Sequence, residues 1–402
     1  MDLLPDVWRR ELWLPPGVTW EDMEKLADSD RPLPRDLLLA LPLSLGFVAL
    51  RFLFERVVAP PIGGCLGVKD RIRARAAPSP KLESFYTQRS RHPTQSEIAS
   101  LMTQCGKSQR QIETWFRCRR NQDRPCQTKK FGEASWRFVF YLTSFAGGLA
   151  CLKDAPWFWN LRECWVQYPV QVMERAHYWY YMLELGFYLS LLLRISVDVR
   201  RKDFREQVIH HLATITLLSF SYCANYIRIG TLVMLLHDSS DILLESAKML
   251  NYGTGWRNTS EALFVVFAVV FLVTRLLIFP SKIIHATLVL PMELFEPFAG
   301  YYFFNAMLMV LQALHIFWAR LILRMVYKFL KGNLEKDERS DEESEAEEEE
   351  EGDKGEEGDM DRDFSWEKRT LNSKLSMLTS SCVLNNFANH RASLTNKMHK
   401  AQ

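Results

Sequence analysis

Seven stretches of the chain are apolar for long enough to cross a bilayer core, which takes about 20 helical residues. They are 37–54, 136–152, 178–195, 207–224, 229–250, 262–280 and 300–327. The first reads Leu37-Leu-Leu-Ala-Leu-Pro-Leu-Ser-Leu-Gly-Phe-Val-Ala-Leu, and the sixth Ala262-Leu-Phe-Val-Val-Phe-Ala-Val-Val-Phe-Leu-Val-Thr. The second and third are richer in aromatic and polar residues. The stretch 283–290 is too short to span and is expected at the membrane interface. Segment 70–127 has a different pattern. Helical periodicity behind capping residues predicts one amphipathic helix from Pro93-Thr-Gln-Ser-Glu-Ile and another from Ser108-Gln-Arg-Gln-Ile-Glu-Thr-Trp-Phe. The pattern predicts an all-α polytopic membrane protein with about seven transmembrane helices and a small helical insert.

Charge refines this picture. The 402 residues carry a net charge of +2, but Glu335–Asp363 holds 18 acidic and 4 basic residues, a local charge of 4 − 18 = −14. That leaves +16 for the remainder, so the near-neutral total hides a basic apolar body and an acidic appendage. The composition of 335–402 is expected to be disordered. Within it Ser340 and Ser344 precede acidic residues and are candidate phosphorylation sites. Basic residues concentrate in 55–135, 196–206, 251–261 and 328–402, while 153–177, 225–228 and 281–299 hold fewer. The positive-inside bias then puts the N-terminus, 1–36, in the lumen and the C-terminus in the cytosol. The start lacks the pattern of a cleavable signal peptide. The eight cysteines form no CxxC pair, which argues against a zinc site or a dense disulfide framework.

The candidate chemistry lies inside two consecutive apolar spans. His210 and His211 sit early in the fourth, and the fifth carries His237-Asp238-Ser239-Ser240-Asp241. An ionisable group at membrane depth costs roughly 3 kcal/mol even on a lenient scale. A chain that places five there uses them more readily than it tolerates them. His237 and Asp241, spaced i, i+4, share a helix face. The antiparallel helices are expected to meet histidine to carboxylate in the cytosolic half of the membrane. His210 and His211 point about 100° apart, so both need not face the site. Three uses are open: a carboxylate-held imidazole acting as general base, a histidine carrying an acyl group, or a metal site. Buried polar pairs that only hold helices together are the bland alternative.

The same residues carry a family resemblance. His210-His211, Ala224-Asn-Tyr-Ile-Arg-Ile-Gly-Thr-Leu, His237-Asp-Ser-Ser-Asp and Leu243-Leu-Glu-Ser-Ala-Lys-Met resemble the Lag1 motif of the TLC-domain ceramide synthases. Similarity runs from Trp8 to about Asp341 and includes Glu11-Leu-Trp-Leu-Pro, Glu133-Ala-Ser-Trp-Arg-Phe, Arg201-Lys-Asp-Phe and Arg339-Ser-Asp. The resemblance implies a TLC domain over 131–332, with six of the spans, in the endoplasmic reticulum membrane. It implies N-acylation of sphinganine or another sphingoid base such as sphingosine by a fatty acyl-CoA, with no permanently bound cofactor and no metal. Carried over by position, His210, His211, His237, Asp238 and Asp241 form the catalytic set. Arg200, Arg201, Lys202 and Arg205 are candidates for contacting CoA phosphates, although positive-inside topology alone also accounts for them. The remaining partners are membrane lipids and, as an open possibility, a related synthase in a homo- or heterodimer.

In this family acyl-length choice is associated with the last lumenal loop. Here it reads Leu288-Val-Leu-Pro-Met-Glu-Leu-Phe-Glu-Pro-Phe, which resembles the very-long-chain subtypes. Leu288, Pro291, Met292, Glu293, Phe295, Glu296 and Phe298 are therefore expected to set chain length. Trp115-Phe-Arg-Cys-Arg-Arg-Asn resembles a homeodomain recognition helix, but Cys118 replaces the adenine-reading Asn and cannot make its bidentate contact. Specific DNA binding is not expected. A cytosolic regulatory or headgroup-facing module fits better. The other function classes to weigh are a non-catalytic TLC-domain lipid sensor and a membrane-tethered transcription regulator. The one sequon, Asn258-Thr259-Ser260, falls on the cytosolic side and is expected to stay unmodified.

Overall fold

A computed structural model describes residues 9–24, 31–70, 73–201 and 203–330. All regular structure among them is helical. The first long helix is α1 (Ala40–Val57), entered through a 3₁₀ turn at Pro34–Leu39. The insert supplies α2 (Pro80–Gln88), α3 (Gln95–Cys105) and α4 (Gln109–Asp123). Six long helices follow: α5 (Gln127–Leu152), α6 (Arg175–Arg194), α7 (Phe204–Cys223), α8 (Ile227–Tyr252), α9 (Arg257–Phe271) and α10 (Ala299–Leu330). Each apolar stretch read from the sequence lies on one long helix.

Three of these runs, Pro34–Cys65, Arg257–Glu293 and Ala299–Lys328, are long and apolar enough to cross a membrane by themselves. The stretch 283–290 is not a separate interfacial element. α9 continues through a π-helical run, Leu272–Ile284, into His285–Leu288, so most of that stretch is the end of the same helix. Pro280 lies inside the π run. A proline has no N–H and clashes with the carbonyl four residues back, so departure from α geometry is the usual response.

α1 is apolar on the outside. Leu41, Leu45, Leu50, Phe52 and Leu53 are exposed, whereas Ser44 and Arg51 are buried. Such a surface suits lipid, and the chain is a multi-pass membrane protein. Gly186 of α6 lets α1 approach closely: a Cβ there would sit 3.0 Å from Leu43 Cβ. The buried end of α1 is fixed by charge. Arg51 donates two 2.9 Å bonds to Asp198, and its Nε donates to Glu55 at 2.6 Å. Arg137 of α5 also donates to Asp198, at 3.1 Å.

The insert is a three-helix unit with its own core of Leu82, Tyr86, Ile98, Leu101, Ile112, Trp115 and Phe116. The sequence pattern does not flag α2, because it is short and its buried positions are only Leu82 and Tyr86. Capping boxes at Thr94/Glu97 and Ser108/Gln111 start α3 and α4 where the pattern expects them. Arg119 bonds Glu83 of α2 and Asp123 of its own helix, and Tyr86 donates to Asp123 at 2.9 Å. Burial alone would raise the Asp123 pKa, but these hydrogen bonds outweigh it and hold the carboxyl below its usual range.

Candidate active site

α7 and α8 form an antiparallel hairpin that positions most of the expected residues. Its turn rests on Asn225, whose backbone is left-handed at φ 54°. Asparagine tolerates that geometry better than most residues. Its buried amide donates to the carbonyls of Pro169 at 2.7 Å and Gln171 at 3.0 Å. From this turn His210 lies roughly 20 Å along α7 and His237 roughly 16 Å along α8, at ~1.5 Å per residue. The two are therefore nearly level.

They line one partly open cavity. One end is polar, with Glu184, His210, His237 and Asp238. Away from it the walls are apolar: Leu217 and Leu218 of α7, Val233 and Met234 of α8, and Phe304, Leu308 and Leu311 of α10. Near the turn the lining includes Ser221 and Gly230. A Cβ on Gly230 would fall 1.7 Å from Tyr181 Oη, so only glycine lets the tyrosine reach Ser221, 3.1 Å away. His211 and Asp241 do not line the cavity.

Hydrogen bonding separates the roles these side chains can take. His237 Nδ1 lies 2.6 Å from the Val233 carbonyl, which can only accept, so Nδ1 carries the proton. Its Nε2 lies 3.0 Å from His315 Nε2. With both rings neutral, His315 donates there and occupies the His237 lone pair. His210 is different: among the described residues its Nδ1 has no hydrogen-bond partner. Its ring sits against Tyr188 and, 5.4 Å away, against Trp318. Trp318 donates to Asp203 at 3.0 Å, tying α10 to the start of α7. His211 Nδ1 is likewise without a partner among the described residues, and that ring packs on Tyr188.

The expected meeting of histidine with carboxylate is absent from the hydrogen bonds of the described residues. Asp241 instead takes a 2.7 Å bond from Arg275 of the π run. That guanidinium also bonds the His237 carbonyl at 2.9 Å and Ser240 Oγ at 3.0 Å. Asp238 turns toward α5 and α6, where Ser144 Oγ lies 2.7 Å from it and also contacts Glu184. The reason is geometric: other helices bring a cation and a hydroxyl closer to these carboxylates than α7 brings a histidine.

Sequence reasoning therefore missed Ser144, Glu184, Arg275, His315 and Trp318. Glu184, Arg275 and His315 carry the signal that singled out the others, an ionisable side chain within an apolar run. Ser144 and Trp318 carry none. Among the described residues no group of three or more His, Cys, Asp or Glu could hold a metal ion.

The expected peripheral residues are scattered. Arg200 stacks over Phe204 at 5.3 Å, Arg201 is half-buried and Arg205 is exposed. Lys202, Ser340 and Ser344 lie outside the described residues, as does the 335–402 tail. In the loop, Pro291 and Phe298 are buried, Leu288 and Phe295 half-buried, and Met292, Glu293 and Glu296 exposed. Phe298 shares an apolar cluster with Phe220, Tyr226, Tyr301 and Phe304 at the turn end of the hairpin. Phe304 also lines the cavity, so the loop packs behind its apolar end.

Residues 130–324 match the TLC domain, and residues 69–125 match the homeodomain. The chain is 51% identical to human ceramide synthase 4 over 337 residues, 84% of this chain and 85% of that protein. It is 46% identical to human ceramide synthase 3 over 336 residues, covering 84% and 87%. With human ceramide synthase 5 it shares 43% over 340 residues, covering 84% and 86%. Identity of this extent across most of each relative, together with the TLC-domain match, establishes that the chain belongs to the ceramide synthase family.

Proposed function

We propose that this chain is an acyl-CoA-dependent N-acyltransferase that joins a fatty acyl group to sphinganine or another sphingoid base. The observation that carries the reading is the cavity: an imidazole nitrogen without a partner, on His210, at the polar end of an otherwise apolar chamber. The apolar walls suit an acyl chain, and the polar end suits the thioester and the amine. The relatives, all named as ceramide synthases, favour catalysis over lipid sensing.

In the reaction the amine nitrogen attacks the thioester carbonyl, the C–N bond forms, the C–S bond breaks and CoA leaves as its thiol. His210 serves either as the base that takes a proton from the amine or as the nucleophile that first accepts the acyl group. His237, held by Val233 and His315, and Asp241, held by Arg275, fix the walls around it. His211 belongs to the catalytic set by its place in the motif.

All seven long helices cross the endoplasmic reticulum membrane in this reading, with 1–36 lumenal, 37–54 as the first span and 70–127 and 335–402 cytosolic. The basic segments 55–135 and 196–206 support that orientation. CoA phosphates then meet Arg200, Arg201, Lys202 and Arg205 at the cytosolic mouth, and Ser340 and Ser344 are available to kinases. The loop 288–298, behind the apolar end, limits how long an acyl chain fits, in the very-long-chain manner. The test uses membranes from cells without endogenous activity, sphinganine and acyl-CoAs of graded length. Dihydroceramide formation with a preference for long or very-long acyl groups is expected. No product at any length contradicts the reading, and an unchanged length profile after exchange of 288–298 contradicts the role of the loop.

A further inference from the structure

Glu184 belongs to no part of the Lag1-like motif, yet it is 1% exposed and lines the cavity beside Asp238. It comes from α6, which the motif does not touch. Ser144 Oγ contacts both Glu184 Oε1 and Asp238 Oδ2. A hydroxyl has one hydrogen and serves one acceptor. The second contact is a hydrogen bond only if one of the two carboxyls carries a proton. Two carboxylates on one buried hydroxyl thus form a unit with one negative charge. Among the described residues Glu184 Oε2 has no hydrogen-bond partner. A buried, unpartnered carboxyl oxygen in a cavity is expensive unless something fills its place during function.

We infer that the Glu184–Ser144–Asp238 unit is the receptor for the amino-alcohol head of the sphingoid base, with Glu184 Oε2 accepting a hydrogen bond from its ammonium. The inference rests on the proposed transferase reading and deepens it. An alkylamine is protonated at neutral pH, and an ammonium cannot attack a carbonyl because its nitrogen has no lone pair. The singly charged unit takes one proton from the ammonium and becomes neutral, which leaves a free amine facing His210 across the cavity. The nitrogen lone pair then forms the amide bond. The second nitrogen proton passes, directly or through His210, to the departing thiolate, which leaves as the thiol. The unit returns its proton to water when the product leaves. The arrangement also explains selection of a cationic amine over a neutral alcohol: only the former balances the buried charge.

The test uses the full-length chain in lipid nanodiscs and two readouts. Equilibrium binding of tritiated sphinganine and of a non-reactive acyl-CoA thioether reads the receptor without turnover, and dihydroceramide synthesis reads the reaction. Glu184→Gln is expected to weaken sphinganine binding by about tenfold to a hundredfold, the value of a hydrogen bond to a charged group. Thioether binding should stay within about twofold. Glu184→Asp, which keeps a carboxylate at this position, is expected to restore part of the loss. Sphinganine affinity unchanged in Glu184→Gln overturns the inference, and so does an equal loss for both ligands. Where Glu184→Gln does not accumulate as folded protein, Ser144→Ala decides. A selective loss of sphinganine affinity supports the receptor, and unchanged affinity overturns it. Selective binding by a wild-type chain without turnover would uphold the receptor and overturn the transferase reading.

Discussion

At the residue scale the two cavity histidines differ in what their nitrogens are already doing. His237 is spoken for on both sides, by Val233 and by His315, whereas His210 keeps a nitrogen without a partner. Replacing His315 with Phe leaves the His237 lone pair unsatisfied in a buried setting. We expect this to cost about 1–3 kcal/mol of stability, read as a lower midpoint of thermal aggregation in detergent. Activity should fall less than on loss of His210. Three of the five motif residues, His210, His237 and Asp238, line the cavity and were singled out in the sequence because charge and apolar context conflict over a short window, whereas His211 and Asp241 carry the same signal and lie off it. His315 was as anomalous locally, within Ala313-Leu-His-Ile-Phe, but its partner lies 78 residues away, and sequence spacing does not report such a distance. The expected pairing of His with Asp rested on the shared face of His237 and Asp241 and on the two spans running antiparallel. It gave way because Arg275 and Ser144, from other helices, bind the carboxylates.

At the element scale the hairpin α7–α8 depends on its turn. Asn225 is buried, left-handed and bonded to two carbonyls of the 166–171 loop segment. Asn225→Val removes both bonds and places a β-branched residue at positive φ. Together these should cost about 2–4 kcal/mol, measured by the same thermal assay, with Asn225→Gly losing less because glycine adopts the positive φ without strain. The positions of the long helices were legible because each follows an apolar run. Helix ends were less so. α5 starts at Gln127, well before the expected 136, because Gln127-Thr-Lys-Lys continues the helix on its polar side. The π run was not legible, since local composition gives no sign of a register change beyond Pro280.

At the scale of the whole molecule, α1 is outside the TLC match but is bound to it by the Arg51–Asp198 pair. Removing one partner of a buried pair leaves the other uncompensated. Arg51→Met should cost about 3 kcal/mol, the low end for such a change because Arg137 and Arg194 remain near Asp198. Protease accessibility of the 55–70 linker in membranes would rise accordingly. The homeodomain-like insert was legible as a helical unit.

His210 carries the proposed chemistry most directly. The decisive measurement is dihydroceramide synthesis from sphinganine and acyl-CoA in membranes lacking endogenous activity, comparing the parent chain with His210→Ala at matched protein level. A fall of about a hundredfold or more is expected, as for loss of a general base or nucleophile. Activity within about twofold of the parent chain, below the 10²-fold minimum for such a group, would contradict the account.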